Sequence, residues 1–134
     1  MKTIIEAEGI MKSFRETQAL KDISFSVRED EIFGFIGPDG AGKTTLFRII
    51  ATLLLPDEGK LKVMGYDHRK GYKELRKNIG YMPGRFSLYQ DLSVEENLNF
   101  YATVFGTTVE KNYDLIHDIY SHIEPFKTRP AGKL

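Results

Sequence analysis

At 134 residues, the chain is long enough for one modest domain with its own core, and with 41% hydrophobic and 28% charged residues it has the composition of an ordinary globular protein rather than a disordered or fibrous one. Nineteen Lys and Arg balance nineteen Asp and Glu, so no global positive field draws it to nucleic acid or anionic lipid, and any anion site must be local. The absence of Cys excludes a disulfide framework and cysteine-ligated zinc and suits a reducing compartment.

The amino terminus, Met1-Lys2-Thr3-Ile4-Ile5-Glu6, meets a charge before the apolar core of a signal peptide can develop. From Thr3 to Phe35 the pattern predicts short strands: Ile4, Ile5, Ile10, Met11 and Phe14, then the alternation Ile23, Phe25, Val27 of a half-buried antiparallel strand. Glu31 to Ile36, apolar on both faces apart from a glycine, predicts a strand buried in a mostly parallel sheet. After the break at Gly37 to Gly42, Leu46, Ile49, Ile50, Leu53 and Leu54 recur on one helical face. That apolar stretch, Leu46 to Leu55, is far short of the roughly 20 residues that cross a bilayer, and Arg48 interrupts it, so work at a membrane would need a partner that supplies the span.

Pro56 to Gly59 reads as a turn, Lys60 to Met64 as a strand, and Gly65-Tyr66-Asp67 as a second turn. A short polar helix is expected over Tyr72 to Asn78, then a strand at Ile79 to Met82 ended by Pro83-Gly84. Ser93-Val94-Glu95-Glu96 is a capping box opening a helix that carries Leu98, Tyr101 and Phe105 and is closed by Gly106. Val109, Tyr113, Ile116, Tyr120 and Ile123 predict another amphipathic helix, stopped by Pro125.

One motif carries chemistry. Gly37-Pro38-Asp39-Gly40-Ala41-Gly42-Lys43-Thr44 has two glycines five apart followed by Lys and Thr, the pattern of a phosphate-binding loop. Glycines permit backbone angles closed to other residues and let amides turn inward around a phosphate, while the following helix offers its positive dipole end to the same anion. Lys43 can reach the β- and γ-phosphates of a nucleotide, which makes it the candidate catalytic cation, and the Thr44 hydroxyl is placed to ligate Mg²⁺. Residues Gly37 to Thr45 are therefore the candidate ATP contacts, Thr45 included.

With strands preceding this loop, Gly9 to Leu134 resembles the first part of an ABC-type ATP-binding subunit, in wording closest to multidrug or ABC-2 exporters. Gln18 to Val27 resembles the family's antiparallel segment, Glu31 to Ile36 the strand into its loop, and Ile79-Gly80-Tyr81-Met82-Pro83 with Leu88 to Leu98 the surroundings of its Q-loop. The resemblance implies an α/β P-loop NTPase fold: an antiparallel β-subdomain and a partial RecA-like core over residues 1–90, and over 91–134 the beginning of a helical subdomain, cut just before the family's signature motif. It implies that Phe14 stacks on adenine with Ala19 nearby, a flat contact that binds any base without reading its edge. It further implies ATP hydrolysis powering transport in the whole protein, with negligible hydrolysis by these 134 residues alone. A transmembrane permease would be met through the loop around Arg85 to Tyr89, where Phe86, Leu88 and Tyr89 are apolar, with a homodimer or heterodimer of ATP-binding subunits, no nucleic acid, and a cytoplasmic place on the inner face of the membrane. A soluble ABC-type ATPase and a nucleotide sensor that does not hydrolyse are the alternatives.

Two positions depart from the family pattern. Gly84 stands at the Q-loop position where Gln is usual, Gln90 being six residues too late to match; Asp39 stands where Asn is usual and is expected to face away from the phosphates. The other charged clusters read as structural. His117 and His122 are five apart and so not on one helical face, His68 stands apart, and Arg69, Lys70, Lys73, Arg76 and Lys77 read as a solvated basic face.

Overall fold

The computed structural model describes residues 2–134; the chain divides into two compact units, Met1–Met82 and Pro83–Leu134.

In the first unit, β1 (Thr3–Phe14) forms a long hairpin with β2 (Thr17–Arg28), and β1 pairs on its other side, antiparallel, with β3 (Glu58–Val63), which pairs with the two-residue β4 (Tyr66–Asp67). The sheet order is β2-β1-β3-β4. Leu61 and Val63 of β3 are buried while Lys60 and Lys62 face water, the period of two that a one-sided sheet requires. Along β1 the buried positions are Ala7 and Ile10, three apart, because Gly9, at φ 60°, lies within a register shift between them. The long hairpin joins what the sequence suggested as several short strands.

Against the sheet pack α1 (Lys43–Ile50) and α2 (Tyr72–Asn78), burying Leu46, Ile49 and Leu75 with Ala7, Ile10, Leu20, Leu61 and Val63. Fully burying each such side chain contributes about 1.5 to 3 kcal/mol, which fixes where α1 sits. The helix is shorter than its apolar periodicity suggested: it stops at Ile50, and Leu53 and Leu54 belong to the turn that follows.

Glu31 to Ile36 departs further from expectation. The segment is extended but joins no ladder: Phe33 and Phe35 pack with Phe25 and Phe47 at ring separations of 4.9 to 5.9 Å, while Ile32 and Ile36 are fully exposed. Ile79 to Met82 likewise forms no strand, although Ile79 packs on the core. A strand exists only as a hydrogen-bonded pair about 4.8 Å from a neighbour, and among the described residues neither of these segments is bonded into a ladder.

The second unit contains α3 (Val94–Val104) and α4 (Tyr113–Ile123), with single 3₁₀ turns at Glu110–Asn112, Glu124–Phe126 and Ala131–Lys133. The capping box forms as read: Ser93 Oγ accepts from Glu96 N, and Glu96 Oε2 accepts from Ser93 N. The chain end returns to this helix start, Val94 N donating to Arg129 O and Ala131 N to Leu92 O. Tyr113 and Tyr120, one turn-pair along α4, meet edge to face at 6.1 Å, with Tyr120 buried.

Candidate phosphate-binding site

The glycine-rich loop connects the extended segment 31–36 to the first turn of α1. Gly40 and Gly42 have φ of 82° and 88°, angles that residues bearing a Cβ rarely adopt. Gly42 has a second constraint: a Cβ there would sit 2.4 Å from the Ala19 carbonyl oxygen and 2.8 Å from Leu20 Cδ2. The loop is thus pressed against β2 at the position that also carries Ala19.

Gly42 is the N-cap of α1, and no side chain caps the helix. The amides of the first turn, Lys43, Thr44 and Thr45 among them, have no partner within the helix by its geometry. No acidic residue lies in that turn, so nothing there neutralises the positive end of the helix dipole. Lys43 Nζ donates to the carbonyls of Gly37 at 2.6 Å and Pro38 at 2.7 Å, which draws the ammonium across the start of the loop. Ala41 N donates to Pro38 O, closing a turn over Asp39 and Gly40. Asp39 and the Thr44 side of the helix start face solvent.

Phe14 ends β1 opposite Thr17 and is 47% exposed, a large aromatic face at the tip of the same hairpin that presses on Gly42. Lys12 Nζ lies 5.6 Å from its ring and is held at 2.6 Å by Asp57 Oδ1, whose carboxyl is kept below the usual carboxylate range by that bond and by Ser13 N.

The sequence profile of the ABC transporter family matches residues 20–131. The chain belongs to the ABC transporter family. An Escherichia coli (strain K12) relative named "Probable multidrug ABC transporter ATP-binding protein YbhF" is 42% identical over 105 residues, 78% of this chain and 18% of that protein. The Nod factor export ATP-binding protein I of Rhizobium sp. (strain N33) is 36% identical over 135 residues, 99% of this chain and 44% of its own length. A solved ATP-binding subunit of an ABC transporter superposes with a TM-score of 0.75 at 27% identity, covering 93% of this chain and 53% of its own. The chain thus spans about half the length, or less, of these relatives. The α/β P-loop fold class is that of the ABC ATPase domains.

In the second unit of this ABC chain, Gly84 is exposed with nothing within 4 Å of where a Cβ would be, so the backbone there leaves room for any side chain. Phe86, Leu88 and Tyr89 are 55%, 40% and 52% exposed, so none of the three is a core anchor. What anchors this loop is Asn97, which sequence reasoning passed over: it is buried, its Nδ2 donates to the carbonyls of Tyr89, Leu92 and Ser93, and its Oδ1 accepts from Tyr89 N. Gln90 holds the chain end through its backbone, accepting from Gly132 N.

The basic cluster is a solvated face with two members that do more. All five residues are exposed, as expected of such a face, but two also make fixed contacts: Arg69 Nη2 donates to Pro56 O, and Arg76 reaches the turn after α1, donating from Nε to Thr52 Oγ1 and from Nη2 to Thr52 O. His68 is buried and donates from Nε2 to Ile49 O at 2.6 Å. Because a carbonyl only accepts, Nε2 carries the proton in the neutral ring, leaving the buried Nδ1 as an acceptor without a partner. Burial holds the imidazole below its usual pKa. No sequence pattern pointed to these contacts, since each depends on where the turn after α1 lies.

Proposed function

We propose that this chain binds ATP with Mg²⁺ at Gly37 to Thr45, and that in the whole protein this binding and subsequent hydrolysis drive transport across a membrane. The observation that carries the reading is the start of α1: unpaired first-turn amides, no carboxylate in the turn, and the Lys43 ammonium held in the same loop on the carbonyls of Gly37 and Pro38. That donor set fits a polyphosphate. Phosphate oxygens would take the place of the Gly37 and Pro38 carbonyls as partners of Lys43, and charge-assisted bonds of that kind are about twice as strong as neutral ones. Thr44 would offer its hydroxyl to the metal, whose role is to bridge phosphate oxygens and offset their charge. Phe14, exposed at the hairpin tip, would stack on the adenine with Ala19 beside it.

The loop supplies amides, an ammonium and hydroxyls, and no residue in it is placed to orient an attacking water. These 134 residues are accordingly expected to release phosphate at no more than the background rate, and sustained turnover in a phosphate-release assay would refute this. The exposed apolar side chains Phe86, Leu88 and Tyr89 suit contact with a membrane permease, and Gly84, lacking a side chain, would leave the usual glutamine contact to water or another group. No helix among the described residues is long and apolar enough to cross a membrane, which accords with a role on its cytoplasmic face beside a spanning partner and a second ATP-binding subunit. Residues 1–90 would serve as nucleotide-binding core and 91–134 as the opening of the helical subdomain.

Titration with a fluorescent ATP analogue, with and without Mg²⁺, on wild type and Lys43→Ala tests the central claim. Equal affinities for the two proteins would overturn it.

A further inference from the structure

The far end of α1 is built with unusual care. Thr52 N donates to Ile49 O at 3.0 Å and Leu53 N to Arg48 O at 2.8 Å, the paired bonds of a Schellman closure in which the residue at Thr52 must be left-handed. Glycine is the usual occupant of that position, yet here it is a buried β-branched threonine at φ 61°, a conformation that is a genuine outlier for such a side chain. Two neighbours hold it there. Arg76 brings a fork, Nε to Thr52 Oγ1 at 2.9 Å and Nη2 to Thr52 O at 2.8 Å, and its guanidinium lies 5.2 Å from the Tyr72 ring centroid, one helical turn back on α2. His68 adds a second donor to Ile49 O, the same carbonyl that receives Thr52 N. Leu75, fully buried in the core, fixes the face of α2 from which Arg76 extends.

We propose that Arg76 is a positioning residue for the phosphate loop, acting through Thr52, with His68 as its companion on Ile49. An eight-residue helix is too short to persist by its own propensity, so its ends are set by what grips them. Leu46 and Ile49 hold the axis of α1 on the sheet; at its start the helix has no side-chain cap, leaving the amides open, whereas its closing turn is gripped by side chains. If the left-handed Thr52 relaxes, the last turn unwinds and the strain is relieved at the expense of the geometry that aims Lys43 and the first amides. The proposal rests on the nucleotide-binding reading of the preceding subsection.

The test is a double-mutant cycle in Arg76→Ala and Thr52→Gly, read by affinity for a fluorescent ATP analogue with Mg²⁺ well below the unfolding transition, and separately by chemical denaturation without nucleotide. Arg76→Ala is expected to weaken binding roughly tenfold, the scale of one charge-assisted hydrogen bond. Adding Thr52→Gly should restore affinity to within about twofold, because glycine adopts the left-handed turn unaided and no longer needs the fork. A lower denaturation midpoint with unchanged affinity would make Arg76 merely structural and overturn the proposal, as would a double mutant no better than Arg76→Ala alone. If Lys43→Ala weakens binding and Arg76→Ala does not, only this inference falls; if Lys43→Ala binds as wild type does, the nucleotide site falls and this inference with it.

Discussion

The two ends of α1 are opposites. At its start, Gly42 offers no cap and the first-turn amides have no intrahelical partner; at its end, the carbonyls of Arg48, Ile49 and Thr52 are taken up by the closing turn, by His68 and by Arg76. The first-turn amides are thus open while the carbonyls of the closing turn are gripped by side chains from elsewhere in the unit, and the proposed ligand would meet the open end. The open end also carries the positive pole of the dipole, so the same asymmetry sets the charge of what it would take.

The contrast can be broken first at the open end. Lys43→Ala is expected to weaken nucleotide binding roughly hundredfold, about 2.8 kcal/mol, as the ammonium's bonds to phosphate are lost; the analogue titration reads it directly. Gly42→Ala should lower unfolding stability by about 2 kcal/mol, since the methyl group would meet the Ala19 carbonyl and the φ of 88° is strained for alanine. Denaturant midpoints for the two proteins measure that cost.

At the gripped end the lever is pH. His68 is held below its ordinary pKa by burial, with Arg69 adding to the shift while the Ile49 carbonyl and Asp67 oppose it, so the folded state prefers the neutral ring. The unfolded chain binds a proton near pH 6.5, and the folded protein does so only at lower pH. Stability is therefore complete above about pH 6.5 and falls as pH drops through the window between the two values. A charged ring would also need an acceptor for Nδ1, which has none. Denaturation midpoints followed from pH 8 to 5 should decline in wild type and decline less in His68→Gln; parallel curves would show that another group is responsible.

The smallest effect is expected back at the loop. Asp39 is exposed, and Asp39→Asn should change nucleotide affinity by less than about twofold. A large gain on titration would mean that the carboxylate turns toward the phosphates.

Much of this asymmetry was half legible. The glycines, Lys43 and Thr44 announce the open end because a phosphate loop is a local arrangement, its angles and donors contributed by consecutive residues. The capping box at Ser93 and the helix over Tyr72–Asn78 were legible for the same reason. The closed end was not: Arg76 read as one more member of a basic cluster, His68 as an isolated histidine, and Leu53 and Leu54 as further turns of helix. Asn97, whose four hydrogen bonds hold the loop at Tyr89 to Ser93, carries no pattern at all.

Glu31 to Ile36 shows the limit from the other side, since apolar residues on both faces describe a buried strand and yet the segment pairs with nothing among the described residues. By itself the order of residues determined the glycine-rich turn before α1, the capped start of α3 and the burial alternation along the strands, because those depend on neighbours a few positions away. Only the tertiary structure decided where α1 ends, which arginine grips it and whether an extended segment becomes a strand. Those outcomes depend on groups brought together across tens of residues, which spacing along the chain does not record.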